Sequence, residues 1–446
     1  TVVLGLLNAG TGNVSIVAGQ SITDSQTSGA TQTNNITASG LRLNAGTGIG
    51  ASGNQNAVET TVVTLSAKST QGDISLQETD GLEVSATGVA VTVNRVDTGG
   101  NVQSVSDATQ TGVTTGGLTF LASTSGEILF KQAITAGAGQ DVSIISNDVQ
   151  IVEPITGNGG DLTIKPNDPT VNIQIGGTAP TGTLDLQPSS LSNLNGGFNQ
   201  IVIGGGTQAP GQDITIVGTT TAIVFTDPVV LNVTGTGSTI SVEGSLQAEG
   251  LTAKGAVVVE GTSTITTGNG SGTTGGNAVF EQTIDGNTNS TADKLTLAAG
   301  GDSVIISGKI GATTPLDSLT VNNAVNVTFS QTVSVDGDLT INATGTVRFD
   351  DKLTISSGKL TIKGASEVII GEVVMTSPTG EFVIEANTLN VTGDIKGSGT
   401  VVLRPSDVSK AISFGVATPA AGSMNVSTTT LGHLAGVSKI VVGTQG

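Results

Sequence analysis

The chain has 446 residues, of which 65 are glycine and only 11% are charged, and hydrophobic residues recur throughout, so the composition excludes a disordered tail. Cys, Trp and Tyr are absent and His433 is the only histidine, which removes most side chains of nucleophilic, redox or zinc chemistry and disfavours an enzyme. The net charge of −19 would repel nucleic acids, and no apolar run approaches the roughly 20 residues of a membrane helix, so we expect neither nucleic-acid binding nor membrane insertion.

Short runs of alternating apolar and polar residues predict β-strands from one end of the chain to the other. Examples are DVSII from Asp141, DLTIK from Asp161 and DLTINA from Asp338. Gly, Asn, Asp, Ser and Thr interrupt such runs about every six to ten residues, where they favour turns. Because helical periodicity is almost absent, we expect an all-β fold.

Residues 1–117 are predicted to form the N-terminal section of this fold. The section opens with TVVLGLL, one of the most apolar runs in the chain, and closes with a Gly- and Thr-rich stretch from Thr98 to Gly117. Such low-complexity stretches predict loops or lateral excursions. A second stretch of this kind extends from Thr266 to Gly276.

A recurring corner motif predicts how the strands stack. Its copies are ILFKQAIT, IVFTDPVV, AVFEQTID, VTFSQTVS, VRFDDKLT and VIIGEVVM. They assign one structural position to five of the nine Phe and one Ile: Phe130, Phe225, Phe280, Phe329, Phe349 and Ile370. The last three follow one another at intervals of about 20 residues, and Val391 continues the series, as expected for one solenoid turn per interval.

These intervals predict a parallel β-solenoid, or β-helix, with coils of roughly 20 residues in one continuous rod. Equivalent positions of successive coils stack about 4.8 Å apart, so Phe329, Phe349 and Ile370 should form one buried column. We expect a right-handed coil because parallel crossovers strongly prefer that hand.

In addition to the coil repeat, the sequence has a second repeat with a longer period of about 240 residues. The segment DLTIKPNDPTVNIQIGGTAP from Asp161 matches TVVLRPSDVSKAISFGVATP from Thr400 without a gap, and the segment from Leu191 matches that from Leu431 with one deletion. We therefore predict solenoid modules at residues 118–206 and 360–446, with a middle solenoid section at 207–359. The i, i+3 leucine pairs that begin at Leu191 and Leu431 predict a short helical turn on the outside of each module, after the potential capping residues Ser189–Ser190 and Thr428–Thr430.

The segment from Ile36 to Val84 and the module ends IVIGGG at Gly206 and IVVGTQG at Gly446 carry a family resemblance. With them the chain resembles the giant secreted β-strand-repeat exoproteins of cyanobacteria and related bacteria, whose solenoids are similar to filamentous haemagglutinin. The resemblance covers nearly the whole chain. It implies a secreted surface or matrix protein and carries over no catalytic residue.

Candidate catalytic residues are few, and each has a simpler interpretation. His433 aligns with Asn193 of the other module, which favours an ordinary exposed residue over a catalytic base. Asp350 and Asp351 resemble the paired carboxylates of β-helical polysaccharide hydrolases, but neighbours on a strand point to opposite faces. We therefore predict no catalytic residue and interpret the two aspartates as a solvated corner.

Calcium is the one cofactor that the sequence leaves open. GAGQD, ending at Asp141, and GNGGD, ending at Asp161, resemble half of a nonapeptide calcium motif, yet the tandem spacing is missing, so plain glycine turns are expected. Two residues beyond the predicted Phe column, stacking would bring together three oxygen-bearing side chains: Gln331, Asp351 and Glu372. Solvent, Lys352 or a bound Ca²⁺ would relieve the repulsion between the carboxylates.

The sequence predicts that both ends of the chain are solenoid coils without a cap. A solenoid exposes strand edges and apolar core at its ends unless something covers them. We expect the apolar residues at the N-terminal end to be buried against a neighbouring coil: Val2, Val3, Leu4 and Leu6. That coil would belong to a further module of the same polypeptide or to another copy. The matching edge at the C-terminal end would be Ile440, Val441 and Val442.

Three functions follow from this interpretation. The first is a structural rod or fibre in a surface filament, sheath or biofilm matrix. The second is an adhesin whose lateral loops bind glycans or a host surface. The third is a polysaccharide-degrading β-helix enzyme, which the missing side chains disfavour.

Overall fold

A computed structural model describes residues 1–26, 33–51, 56–205, 212–233, 235–268, 276–288, 292–377, 380–397 and 399–443. The fold is a nearly all-β parallel β-solenoid, as the alternating pattern predicts. By its internal contacts the chain divides into two compact units, residues 1–212 with 225–227 and residues 213–224 with 228–446. No helix in the described ranges is long and apolar enough to cross a membrane.

The first unit contains 23 described strands and one short helix. They are β1 Val2–Leu4, β2 Leu7–Asn8, β3 Asn13–Ala18, β4 Ser21–Asp24, β5 Ile36–Ala45, β6 Gly48–Ile49, β7 Val58–Ser69, β8 Ile74–Glu78, β9 Leu82–Val84, β10 Thr92–Val96, β11 Val102–Ser106, β12 Val113–Thr115, β13 Thr119–Ser123, β14 Glu127–Phe130, β15 Ile134–Thr135, β16 Val142–Ile145, β17 Asp148–Ile151, β18 Ile155–Thr156, β19 Asp161–Lys165, β20 Ile173–Ile175, β21 Leu184–Leu186, α1 Pro188–Leu191, β22 Leu194–Asn195 and β23 Gln200–Gly204.

The second unit also contains 23 described strands and one helix. They are β24 Ile214–Val224, β25 Val229–Asn232, β26 Thr239–Ala248, β27 Leu251–Ala253, β28 Ala256–Thr267, β29 Ala278–Phe280, β30 Ile284–Gly286, β31 Lys294–Ala298, β32 Val304–Ile306, β33 Ser318–Ala324, β34 Val327–Phe329, β35 Val333–Val335, β36 Leu339–Ala343, β37 Thr346–Phe349, β38 Leu353–Ile355, β39 Leu360–Ile370, β40 Val373–Met375, β41 Glu381–Val391, β42 Ile395–Lys396, β43 Thr400–Arg404, β44 Ile412–Phe414, β45 Met424–Val426, α2 Thr428–His433 and β46 Lys439–Val442.

Coils of the first unit follow one register despite their unequal lengths. One interior column is formed by successive Cα partners in eight strands: Val2, Ile22, Ile49, Ile74, Thr119, Val142, Leu162 and Ile201. The long step from Ile74 to Thr119 contains the antiparallel hairpin β10–β11, whose residues are all exposed. The ladder therefore continues past an insertion, because the extra residues leave and return at the same corner.

The hairpin refines the interpretation of the stretch from Thr98 to Gly117. That stretch contributes the second hairpin strand, β11, and then re-enters the solenoid as β12, which pairs with β7 and β15. Most of the second Gly-rich stretch, from Thr266 to Gly276, lies outside the described residues, as do the module ends at Gly206 and Gly446.

The predicted Phe column is confirmed in the second unit. Phe329 pairs with Phe349, Phe349 with Ile370 and Ile370 with Val391, and the three predicted members are at most 2% exposed. The two phenyl rings are stacked with centroids 4.6 Å apart and an interplanar angle of 11°. Upstream the column continues through Ile306, Phe280, Ala253 and Leu231.

The prediction from the corner motif was wrong in two copies, which do not belong to this column. Phe225 follows β24, whereas Leu231 in β25 is the residue aligned with Ala253 and through it with Phe280. Phe130 aligns with Val84 and Ile151 in the first unit, on a ladder that does not include β29 or β34, so it does not join the column either. The motif therefore marks buried strand ends generally, and only the strand register decides which column a Phe joins.

Both predicted helical turns are present, with different caps from those expected. Pro188 begins α1, and the side chain of the N-cap residue Gln187 makes no hydrogen bond that caps the helix. Ser427 caps α2 by accepting a hydrogen bond from the Thr430 backbone N–H. Each helix lies in a long coil, between β19 and β23 or between β43 and β46, that also contains a short parallel strand pair, β20–β21 or β44–β45. The module boundaries at residues 117, 206 and 359 stay predictions.

Candidate functional site

Two of the three predicted calcium-binding side chains are in register, and the third is displaced by one position. Phe329 pairs with Phe349 and Val333 pairs with Leu353, so the two corners are equally long and Gln331 is aligned with Asp351. In the next coil the Leu353 N–H donates to the Glu372 carbonyl, as the Val333 N–H donates to that of Lys352. Glu372 therefore takes the position equivalent to Lys352 because its corner is one residue shorter.

Glu372 belongs instead to a surface network of ion pairs. Its Oε1 lies 3.2 Å from Lys396 Nζ, which is also 3.8 Å from Asp394 Oδ2. His433 Nδ1 lies 3.0 Å from Asp394 Oδ1. The hydrogen bond from His433, and then the Lys396 charge, lower the pKa of Asp394. This network connects α2 to the corner before β42, which is a structural role for the lone histidine.

The other predicted carboxylates are held by ordinary turn contacts. Asp350 pairs with Arg348, and Asp351 Oδ1 accepts the Lys352 N–H at 2.7 Å. Asp141 Oδ1 accepts the Asp161 N–H at 2.9 Å, which ties two successive glycine turns together. Among the described residues, no group of three or more His, Cys, Asp or Glu side chains could hold a metal ion. Calcium at Gln331, Asp351 and Glu372 stays a prediction.

The two chain ends expose apolar residues on edge strands. β1 pairs in parallel with β4 and buries Leu4, while Val2 is half-buried and Val3 and Leu6 are 62% and 79% exposed. At the other end, β46 pairs in parallel with β43. There Val441 and Val442 are half-buried and Ile440 is 37% exposed. Within the single chain, therefore, Leu4 alone of the predicted end residues is fully buried.

A groove in the first unit was missed by the sequence analysis. It has a volume of about 480 Å³, and its walls combine the apolar side chains of Val62, Leu82 and Leu129 with the carboxylates of Asp80, Glu83 and Glu127. Lys131 Nζ lies 2.8 Å from Glu83 Oε2. Burial, and then the neighbouring Asp148 carboxylate, raise the pKa of Glu127. The groove thus presents carboxylates beside an apolar wall, a combination suited to a polar ligand with an apolar face.

Glu78 is a buried carboxyl in the same unit, also missed from sequence. It is fully buried at the end of β8, opposite Thr60 in β7. Its oxygens accept hydrogen bonds from the Thr60 hydroxyl at 2.7 Å, the Thr79 N–H at 2.9 Å and the Val62 N–H at 3.2 Å. Burial nevertheless raises the pKa of Glu78 to about 8, since these bonds only partly offset the loss of hydration.

Glu59 is a second buried carboxyl, and its side-chain oxygens accept no hydrogen bond from any described residue. It is 4% exposed, and both carboxylate oxygens are buried without a partner. Burial, and then the charge of Asp24, raise the pKa of Glu59 to about 7. A buried group left in this condition is unusual in proteins and calls for an explanation.

No model of a known protein family matches the chain, no curated protein matches it, and no solved structure matches it.

Proposed function

We propose that the chain is a structural component of a secreted, cell-surface or matrix fibre, in which solenoid coils stack end to end. The proposal assigns it no catalytic role. Its partners are further modules of the same polypeptide or copies of itself. The exposure of Val3 and Ile440 on edge strands, and of Leu6 just after β1, is the observation that carries the proposal.

Edge strands explain why such contacts should form. An edge strand offers backbone N–H and C=O groups that a further strand can pair with. In the described residues no second strand is in register with β1 or β46. A contact between opposite ends is heterologous, so it repeats from copy to copy and produces an open fibre. The same contact made within one longer polypeptide would produce a continuous solenoid.

Sedimentation velocity over a hundredfold range of protein concentration tests the proposal. We expect the sedimentation coefficient of the wild type to rise with concentration. The Val3→Lys/Leu6→Lys variant should stay monomeric because a lysine on the edge opposes strand addition. A matched control is Val93→Lys/Val96→Lys on the exposed hairpin, which should behave as the wild type. A wild type that remains monomeric throughout would contradict stacking between copies of the chain.

The groove favours a second candidate function, an adhesin that binds glycans. Sugars combine hydroxyl groups with apolar faces, and the groove wall offers Asp80 and Glu127 beside Leu82 and Leu129. Binding to a panel of oligosaccharides, compared between the wild type and Glu127→Gln, would test this function. Equal binding by the two proteins would place any glycan contact elsewhere.

A further inference from the structure

We propose that Asp24 and Glu59 form a binding site for a divalent cation of the Ca²⁺ type in the first unit. The site is separate from the predicted column at Gln331, Asp351 and Glu372, and it is independent of the fibre proposal. It rests on buried acceptor oxygens that have no hydrogen-bond partner among the described residues.

Three carboxylate oxygens at this site have no hydrogen-bond partner in the part of the chain that the structure describes. Both Glu59 oxygens are buried without a hydrogen bond, although Glu59 lies in β7 and is only 4% exposed. Asp24, at the end of β4, uses Oδ1 to accept the Gln26 N–H at 3.0 Å, while its Oδ2 is buried without a partner. An ionised carboxylate is acceptor-only, so these atoms need a donor or a cation.

Asn35 connects the carboxylate of Asp24 to the backbone of Glu59. Its side chain is fully buried, donates to Asp24 Oδ1 at 2.7 Å and accepts the Glu59 N–H at 2.9 Å. Its backbone N–H donates to the Glu59 carbonyl at 2.9 Å. Asn35 therefore links the Asp24 carboxylate to the Glu59 backbone but donates to none of the three free oxygens.

No basic side chain neutralises the pair. Among the described residues neither Asp24 nor Glu59 has an ion-pair partner. The buried Arg42 in β5 is directed elsewhere, to the Ala108 carbonyl at 3.2 Å and the Ser15 hydroxyl at 3.2 Å. Buried charge without compensation is costly, so a cation that enters the site replaces the missing partner.

The donor set selects the class of cation. Carboxylate oxygens are hard ligands, Glu can bind Ca²⁺ through both oxygens, and Ca²⁺ tolerates irregular geometry with water completing its shell. Nitrogen and sulfur ligands, which zinc and copper prefer, are absent from the pair. With only two protein carboxylates, we expect a dissociation constant on the order of 0.1 to 1 mM, as in extracellular calcium modules.

Calorimetric titration of the full chain with CaCl₂ at about pH 8, in about 0.1 M KCl to screen general counterion binding, tests the site. Glu59→Gln and Asp24→Asn should each weaken binding at least tenfold. The control Glu153→Gln removes the same charge from an exposed position of the same unit and should bind as the wild type. Retained binding in Glu59→Gln, or no heat from the wild type up to about 10 mM Ca²⁺, would overturn the proposal.

Thermal melting followed by far-ultraviolet circular dichroism provides an independent readout. We expect Ca²⁺ at about 10 mM to raise the wild-type melting temperature relative to EGTA, because a ligand that binds the folded state stabilises it. Folded Glu59→Gln should melt at one temperature in both buffers. A Ca²⁺ shift of equal size in Glu59→Gln and wild type would show that the ion acts at another position and would contradict the assignment.

Discussion

Two stretches of solenoid share a backbone architecture but differ in what they bury. The apolar coils, residues 294–391 of the second unit, stack through β31 to β41, and none of their described residues is a buried polar or charged one. The polar coils, residues 35–85 of the first unit, keep the same parallel register. Their buried polar residues, in the described part of this stretch, are Asn35, Arg42, Glu59, Thr60, Ser66, Ser69, Ser75, Glu78 and Ser85.

The difference shows that the parallel ladder specifies the solenoid, while the interior decides how stability responds to conditions. Main-chain hydrogen bonds repeat in both stretches and are indifferent to side-chain chemistry. Apolar columns contribute a stability that hardly depends on pH. Buried carboxyls such as Glu78 make stability depend on their protonation.

The largest effect should come from opening the apolar column. Phe349→Ala removes a ring that is 2% exposed and stacked on Phe329. We expect a loss of about 3 to 5 kcal/mol of unfolding free energy, from lost burial and the cavity left behind. Urea denaturation measures it. Phe414→Ala is the matched control, because Phe414 is 45% exposed and its loss should cost far less. Equal losses of unfolding free energy in the two variants would contradict the claim that the buried column contributes more to stability than an exposed Phe.

The polar coils should lose stability as the pH rises. The pKa of Glu78 is about 8 in the folded chain and 4.5 for the free side chain. Between these two pH values the folded state therefore binds a proton that the unfolded state has lost. Its stabilising contribution is complete below pH 4.5 and is lost as the pH rises through 8, with a slope of at most about 1.4 kcal/mol per pH unit.

Hydrogen exchange with mass spectrometry, in EGTA and corrected for intrinsic rates, can follow this loss in each stretch separately. Between pH 5 and 8 we expect protection to fall in β7 and β8 but not in β36 to β39. Glu78→Gln should reduce the fall, and the exposed Glu153→Gln should leave it unchanged. A fall of equal size in both stretches would remove the proposed role of the buried carboxyl.

Polar corner contacts in the apolar coils should matter less than the column. Asn326 Oδ1 accepts the Thr346 N–H of the next coil at 2.9 Å. Asn326→Ala leaves that donor without its partner and should cost about 1 kcal/mol in urea denaturation. Asn94→Ala, on the exposed hairpin, is the control and should have no measurable effect. A cost above that of Phe349→Ala would reverse the proposed order of contributions.

Surface ion pairs should have the smallest effect. Lys396 lies within 4 Å of both Glu372 and Asp394 but is itself solvent-exposed. Exposed pairs are screened by water and salt, so Lys396→Met should change the melting temperature by no more than about 1 °C. Repeating the melt in about 1 M NaCl should narrow any remaining difference. A large drop would show that this network holds α2 in place.

Sequence could predict the features that depend on local alternation. The regular spacing from Phe329 through Phe349 to Ile370 follows from strands that alternate with period two and from coils of nearly equal length. Both features can be recognised in the amino-acid sequence. Phe225 was misplaced because IVFTDPVV has the same local pattern, while pairing of the following strand sets its column.

The burial of one of the two carboxyls could have been recognised from the sequence, and the burial of the other could not. Glu78 continues the inward phase of Ile74 and Leu76, so a charged residue in an apolar phase could have been noticed. Glu59 lies between Val58 and Thr60, where alternation predicts an exposed side chain. Its burial and its proximity to Asp24 come from the packing of distant segments, which no local pattern contains.

End-to-end stacking is tested most directly by cross-linking, because the chain has no cysteine and introduced thiols would be unique. A Val3→Cys/Ile440→Cys double variant, treated with a short bifunctional maleimide, should give a ladder of oligomers whose length grows with protein concentration. Either single variant should give almost none, since a heterologous contact brings opposite ends together. A double variant that stays monomeric at every concentration, or single variants that cross-link as well as the double, would contradict the proposed fibre contact.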